Sequence, residues 1–563
     1  MKSLPVCLFK MGGVALALWA VESLLIGLAP VPWLLGHVNA DDFYYYLVLA
    51  QNTAAGLGPS FDGQELTNGF HPLYLILVTL LAKLPVDQPH FLIKASLSLL
   101  LLFHNGIAVS LAAVFERRGR AEIGTLAALL WLLNPWALAV TLHGVEVALA
   151  TFLWALVIGY WLLLGSEGLT LKSIPVLGLL VGLAILARTD GLIWLGALWL
   201  TELFRIWRHP EEWRRHLLNI VALAGAVLVV TLPWWWWNWT RFEMIMQVSG
   251  SAIRLWTHGF SWLAEPDRIF RYTTAIGLVY VSKLLLYTAL PLALTLLALV
   301  RRRVPQGQQD FATSAAKPVK SLAQPVETKP PAEPTESLAE PVEAKPSAEL
   351  VEASPFNRVF HQLNFAWLAV LGLLIWYVGW QWNAQNWYLH STILVFTVGA
   401  ALAWEQAIDR TAPLDLRPTY LFVGLLAALI FFSGFQVLGF GYPRQARGYY
   451  LAQWLNHNTE PEARVGAWNS GIIAYFTDRQ VINLDGVVNN SLYDHMKSRR
   501  STSPLDLRDY VVSRNIAYIT DYEYFHLDAF KEEVDLQLVY ESPEYGFRVY
   551  RLKPLFREAV QSN

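Results

Sequence analysis

The chain has 563 residues, 55% of them hydrophobic and only 15% charged, well short of the roughly one-quarter charged content of ordinary soluble domains. Much of it therefore calls for a non-aqueous surrounding. Lysine plus arginine number 42 against 44 aspartate plus glutamate, a net charge of −2, so no global basic field exists and nucleic acid is set aside as a partner. The single cysteine, Cys7, allows neither an intramolecular disulfide nor a cysteine metal cluster.

In chain order, Lys2 and Lys10 precede an apolar run over residues 11–33. That run is longer than the roughly 7 to 15 residues of a signal-peptide core, and reads as an uncleaved first span with its N-terminus inside. A polar segment, 34–90, follows; within it residues 72–84 form a short apolar helix opened by Pro72, too short to span the bilayer. Further spans are predicted near 91–114, 121–140, 147–164, 173–187, 191–204, 217–237, 273–300, 364–382, 388–405 and 418–438, about eleven in all. With this count Arg117, Arg118 and Arg120, the arginines between 205 and 215, and Arg301 to Arg303 share one side, the cytoplasmic one by the positive-inside rule. The segments 34–90, 141–146, 188–190, 238–272, 383–387 and everything after about 439 then lie outside. The run Trp234 to Trp237 with Trp239 falls at the outer boundary, where indole rings form interfacial belts and, less often, sugar-stacking platforms.

Residues 304–355 repeat Lys-Pro, Glu-Pro and Ala units (Ala316-Lys317-Pro318, Ala339-Glu340-Pro341, Ala344-Lys345-Pro346), the composition of a disordered linker. The expected division is thus a transmembrane module 1–303 with its first external loop 34–90, a cytoplasmic linker 304–355, transmembrane helices 356–438, and an extracytoplasmic domain 439–563. After Tyr442 the pattern turns to short β-like runs at 464–468, 471–476, 481–484, 517–520, 536–540 and 547–550, with a helix at 507–514. Strands mixed with helices predict a small α/β domain. The fold class is therefore a polytopic α-helical membrane protein carrying a C-terminal extracytoplasmic α/β domain.

The densest polar constellation is the first external segment: Asn39-Ala40-Asp41-Asp42, three tyrosines at 44–46, then Asn68-Gly69-Phe70-His71-Pro72-Leu73-Tyr74. Asn39 or Asp41 serves as a helix cap in the plainest reading. In the functional one, one acid is a general base while the other orients substrate or binds a cation. Adjacent helical residues point about 100° apart, so the two acids form no shared-proton pair. Asp41, nearer the first span, is preferred as the base. Asp485-Gly486 reads first as a turn after a strand.

These residues resemble a family. The Asp41-Asp42 pair after the first span, the spaced Ala50, Asn52, Ala54, Gly56 and Gly58, and the run from Gly69 to Tyr74 look like the first external loop of GT-C glycosyltransferases. That superfamily includes protein O-mannosyltransferases, lipid A aminoarabinose transferases and arabinofuranosyltransferases. Gly144-Val145-Glu146 resembles its second-loop Gly-x-Glu element, and Arg188-Thr189-Asp190 a polar hairpin after the fifth span. His71-Pro72-Leu73-Tyr74 departs from the acid-Lys-Pro-Pro form of the aminoarabinose enzymes.

The resemblance implies a hexosyl- or pentosyltransferase of the plasma (inner) membrane. It would use a polyprenyl-phosphate-linked sugar donor and a glycan, lipid or protein acceptor, with inversion. It casts Asp41, Asp42 and Glu146 as catalytic and His71, Tyr74, Asn68, Arg188 and Asp190 as substrate-binding, with Arg188 neutralising the departing lipid phosphate. No cofactor is expected, a divalent cation being the one allowance. Rival readings are a transporter, against which the acids cluster at span ends and no paired broken helices appear, and a sensor or assembly factor whose external domain binds a ligand.

Overall fold

The computed structural model describes residues 6–86, 88, 90–165, 169–258, 266–302, 355–407, 424, 445–499, 504–521 and 535–553. The linker 304–355, apart from Pro355, and the span expected near 418–438, apart from Gly424, lie outside the described residues.

The described residues between Val6 and Ala407 form a helical bundle. Among the described residues six helices are long and apolar enough to cross a membrane, Lys10–Leu28, Phe91–Arg117, Val147–Leu164, Pro210–Phe242, Asp267–Tyr287 and Asn386–Ala407, and a bent pair makes a seventh. Four shorter apolar helices accompany them, so length and composition do not by themselves carry the count of eleven. Two expected spans are broken. The run 121–140 divides into Ala121–Leu132 and Pro135–Thr141, bent by 57°. The cause is Asn134-Pro135: the ring removes a helical N–H, while the Asn134 side chain accepts from the N–H groups of Trp136 and Ala137 and starts a new helix. The run 273–300 likewise divides into Pro266–Tyr287 and Ala289–Arg302.

The bundle core is aromatic where helices meet. Trp154 stacks on Trp194 with centroids 4.5 Å apart, and buried Trp131 donates to the His104 carbonyl. Pro72–Ala82 is an eleven-residue helix with proline in its first turn, as its sequence predicts. Of the tryptophan run, Trp236 and Trp239 face outward, and Trp234 packs on Phe70.

The C-terminal part builds one five-stranded sheet: β1 Arg464–Ala467, β2 Gln480–Asn483, β3 Tyr518–Asp521, β4 Leu536–Glu541 and β5 Arg548–Leu552, in the order β2-β1-β3-β5-β4. β1 runs parallel to β2 and β3, and β5 antiparallel to β3 and β4. One expected strand is a helix. Residues Gly471–Phe476 carry the β-branched and aromatic composition of a strand, but the Gly471 and Ile472 N–H groups are taken by the carboxylate of Asp41, some 430 positions earlier in the chain. A contact of that sequence range overrides local propensity.

The sheet domain sits directly on the first external segment. Thr67 donates to the Asn490 side chain (2.8 Å), Asn490 to Asn68 (2.9 Å), and Tyr45 to Asp485 (3.1 Å), while Arg514 pairs with Glu65. At Gly69 any side chain would collide with the Val487 carbonyl, so the two backbones meet only because that residue is glycine.

Candidate active site

A cavity of about 430 Å³ opens where the bundle meets the sheet domain. Its wall draws on six stretches: Asp42 to Leu49 with Gly69 to His71, Val145-Glu146, Arg188 to Asp190, Met246 to Arg254, Trp376 to Tyr388, and Val487.

Asp41 and Asp42 open the helix Asp41–Ala54, whose N-cap is Ala40; no side chain caps it. Asn39 is engaged elsewhere, donating to the Leu142 carbonyl and accepting from Tyr44. Asp41 is buried, its two oxygens accepting from Gly471 (3.1 Å) and Ile472 (2.8 Å), and it does not line the cavity. Asp42, one residue on and rotated by about 100°, opens onto the cavity and accepts no hydrogen bond among the described residues. The preference for Asp41 as the reacting acid is thus at odds with the geometry, since both its oxygens are already used.

Burial raises the Asp41 carboxyl to about 7 against its two backbone hydrogen bonds, with the Asp485 charge adding to the rise. Asp42, though open to solvent through the cavity, is also pushed to about 7, first by desolvation from the protein around it and then by the charges of Asp41, Asp485 and Glu146. Burial raises Asp485 in turn.

The cavity also holds a charge cluster in which every member has a partner. Arg188 Nη1 pairs with Glu146, its Nη2 donates to Asp190 (2.9 Å) and Tyr377 (3.1 Å), and its Nε donates to Asp190 (3.1 Å). The Tyr377 hydroxyl donates to Asp190 (2.5 Å) and its ring stacks on Tyr388 with centroids 3.8 Å apart. Burial opposes the Asp190 charge, but Arg188 and these hydrogen bonds prevail and hold its pKa below the ordinary value. His71 Nε2 lies 3.6 Å from Glu146. Burial drives its pKa down despite the carboxylate, so the ring is neutral at pH 7. The ring caps nothing: the helix after His71 has no side-chain cap.

Of the expected site residues, Asp42, Glu146, His71, Arg188 and Asp190 meet at the cavity, whereas Asp41, Tyr74 and Asn68 do not line it. Tyr74 is buried and donates to the Gly144 carbonyl (2.7 Å), fixing the turn that delivers Glu146. Gly144 has φ +86° there, with the Phe43 ring where a Cβ would stand. Asn68 joins the side chains of Asn238 and Asn490 and the Val248 N–H. The expectation that Arg188 is available to a departing phosphate also meets a physical obstacle, because two carboxylates and a phenol already surround it.

Sequence reasoning missed Gln247, Arg254, Tyr377, Trp380, Gln381 and Tyr388. Tyr377 and Trp380 lie in a π-helical stretch, Ile375–Trp380, at the end of an apolar helix, with Gln381 N–H reaching the Trp376 carbonyl five residues back; hydrophobicity reads that stretch as plain span. Arg254, on the helix Val248–His258, lies over the Trp380 ring at 5.1 Å. The side-chain oxygens of Gln247 and Gln381 are buried without a partner among the described residues. Among those residues no three histidine, cysteine, aspartate or glutamate side chains gather to hold a metal.

A helical membrane bundle carrying a small sheet domain, with a cavity where the two meet, agrees with the GT-C fold of membrane glycosyltransferases. The chain superposes on ArnT from Cupriavidus metallidurans bound to undecaprenyl phosphate with a TM-score of 0.56 at 11% identity, over 96% of this chain and 98% of that one. Apo ArnT gives 0.54 at 12% identity, over 96% and 99%. Archaeal oligosaccharyltransferase AglB from Archaeoglobus fulgidus, in complex with an inhibitory peptide and a dolichol-phosphate, aligns at 0.46 and 15% identity, over 96% and 74%. ArnT, an aminoarabinose transferase, has the GT-C fold, so the resemblance drawn from the first external segment holds at the level of the fold. Residues 441–556 match a family described as a domain of unknown function (DUF8728). No curated protein matches the chain by sequence.

Proposed function

We propose that the chain transfers a sugar from a polyprenyl phosphate to an acceptor hydroxyl on the extracytoplasmic side of the membrane, with inversion at the anomeric carbon. The observation that carries this reading is the Asp42 carboxylate. It stands open on the cavity without a hydrogen-bonding partner among the described residues, with a pKa of about 7 that suits proton abstraction near neutral pH. The acceptor oxygen forms its bond to the anomeric carbon as the bond from that carbon to the phosphate oxygen breaks. Asp42 takes the hydroxyl proton, and the lipid phosphate leaves as the anion with no need of a general acid. Arg254, a second guanidinium on the cavity wall, is suited to meet that phosphate. The unpartnered amide oxygens of Gln247 and Gln381 offer acceptors to sugar hydroxyls, and the Trp387 and Tyr388 rings an apolar wall for the sugar face.

The outward sidedness rests on the arginine distribution. It is supported by the cavity, whose wall draws on all six of the segments that this distribution puts outside. Two-substrate chemistry at the membrane surface also accounts for a cavity that meets both the bundle and the sheet domain. The test is release of free polyprenyl phosphate from a panel of labelled polyprenyl-phosphate sugars by the reconstituted protein, with the anomeric configuration of the product read by NMR. No release from any donor by the parent protein, or equal release by Asp42→Asn, sinks the reading.

A further inference from the structure

Asp41 and Asp42 are neighbours that face different partners. The helix Asp41–Ala54 shows Asp41 and Tyr44 to the sheet domain and Asp42, Tyr46 and Leu49 to the cavity, with Tyr45 reaching both. On the domain-facing side the contacts are specific and short. The Asp41 oxygens hold the first two N–H groups of Gly471–Phe476, and Tyr45 bridges the Asp485 carboxylate and the Ser470 N–H. A methyl group on Gly471 would come within 2.5 Å of the Asp41 carbonyl and 3.2 Å of Tyr44 Cβ, so no slack remains between helix and domain. The domain itself gives the cavity wall a single residue, Val487. Its hold on the helix is out of proportion to that direct share.

We propose that Asp41 is a positioning residue: it docks the external sheet domain onto the helix Asp41–Ala54 and so fixes where the Asp42 carboxylate points, making the domain of unknown function a structural part of the reaction site. This rests on the reading of Asp42 as the base. The physical reason is geometric. Asp42 is one residue from the dock, so a shift or roll of the helix at Asp41 moves it almost undiminished, and displacements of about 1 Å at a reacting group cost up to about a hundredfold in rate. A carboxylate is required at 41 because two N–H donors converge on it. Asparagine has one oxygen to offer, and its amide nitrogen would face the second N–H.

The experiment compares Asp41→Asn, Asp42→Asn and Gly471→Ala in the full-length protein in lipid nanodiscs. It measures hydrogen exchange of peptides covering 470–476, kcat and donor KM, and the pH profile of kcat/KM. Asp41→Asn is expected to speed exchange at 470–476 and to lower kcat about 10- to 100-fold with KM within about threefold. It also removes one of the charges around Asp42. The charge of Asp485 behind the wall remains, and the titratable and charged groups left on the cavity are Glu146, the Arg188–Asp190 pair, His71, Arg254 and the Tyr45, Tyr46, Tyr377 and Tyr388 phenols. The acidic limb of the profile should therefore move to lower pH, a change that loss of packing alone does not produce. Gly471→Ala, which keeps every carboxylate, should lower kcat with the limb where the parent has it, and Asp42→Asn should exchange at 470–476 like the parent. Parent-like exchange in Asp41→Asn, or parent-like kcat in either docking variant despite faster exchange, overturns the proposal. If instead Asp42→Asn transfers normally, the reading of Asp42 as base falls, while the exchange data still report whether Asp41 docks the domain.

Discussion

Two acid-bearing walls of one cavity are built on opposite principles. Around Arg188, Glu146 and Asp190 each charge is met by an opposite charge or a phenol, and Asp190 is held ionised. At Asp42 the charges that act on the carboxyl are like ones, Asp41, Asp485 and Glu146, and it rises to about 7. The first wall is satisfied before any substrate arrives, as a scaffold would be. The second is left for a ligand to satisfy, which is where chemistry belongs.

The largest effect should come from the unsatisfied wall. Asp42→Asn keeps size and polarity but cannot accept a proton, so turnover should fall about 100- to 10,000-fold with donor binding retained. Single-turnover assays beside a donor-binding measurement check this; near-parent turnover would place the chemistry elsewhere and turn attention to Glu146. Next in size is Arg188→Ala. Removing its guanidinium leaves the Glu146 and Asp190 carboxylates without their opposite charge, and the fold should lose about 3–5 kcal/mol, read as a lowered thermal midpoint in nanodiscs. A variant as stable as the parent but defective in donor binding would mean that Arg188 holds the phosphate after all.

Arg254→Gln separates the two cations. If Arg254 meets the lipid phosphate, a charged hydrogen bond of about 1.5–3 kcal/mol is lost, a rise in donor dissociation constant of roughly 10- to 100-fold with stability unchanged. An unaltered donor affinity would remove Arg254 from the phosphate. The pH profile sharpens the contrast between the walls further. A base must be deprotonated, and the folded-state pKa of Asp42 is raised, so kcat/KM should rise with pH through about 7 and level off above it. Each pH unit below 7 should cost about tenfold. The stability linkage runs the other way: raised carboxyl pKa values stabilise the fold at low pH, and that contribution fades as pH climbs from about 4 through 7. A rate flat from pH 5 to 8 would contradict the assignment.

The membrane character, the first-loop acids and the hairpin at 188–190 were legible in the sequence because each is local: apolar length, adjacent acids, charges at a span end. The roles of the two acids were not. Asp41 and Asp42 are alike in sequence, and only the arrival of Gly471 and Ile472 from the far end of the chain makes one a dock and leaves the other open. The same contact turned a strand-like stretch into a helix. Asn134-Pro135 was readable as a helix start, yet total apolarity over 121–140 masked the break. Tyr377, inside an apolar run, looks like span until a π-helical turn brings its hydroxyl to Asp190.

That hydroxyl supports the smallest and most discriminating prediction. Tyr377→Phe keeps the ring stacked on Tyr388 and removes one oxygen, which donates to Asp190 and accepts from Arg188. If the paired wall is scaffold, the ion pairs from Arg188 to Glu146 and Asp190 remain and absorb the loss. The cost should then be about 1 kcal/mol of stability, with kcat within a few-fold of the parent and the acidic limb still near 7, because Asp42 does not touch this hydroxyl. If the phenol instead contacts the reacting groups, kcat should fall far more than stability does. A thermal midpoint and a pH profile measured on the same preparation separate the two outcomes. A tenfold or greater drop in kcat at unchanged midpoint would end the division into a scaffold wall and a reacting wall, because a group tied wholly into the scaffold cannot lower the rate without loosening what it holds.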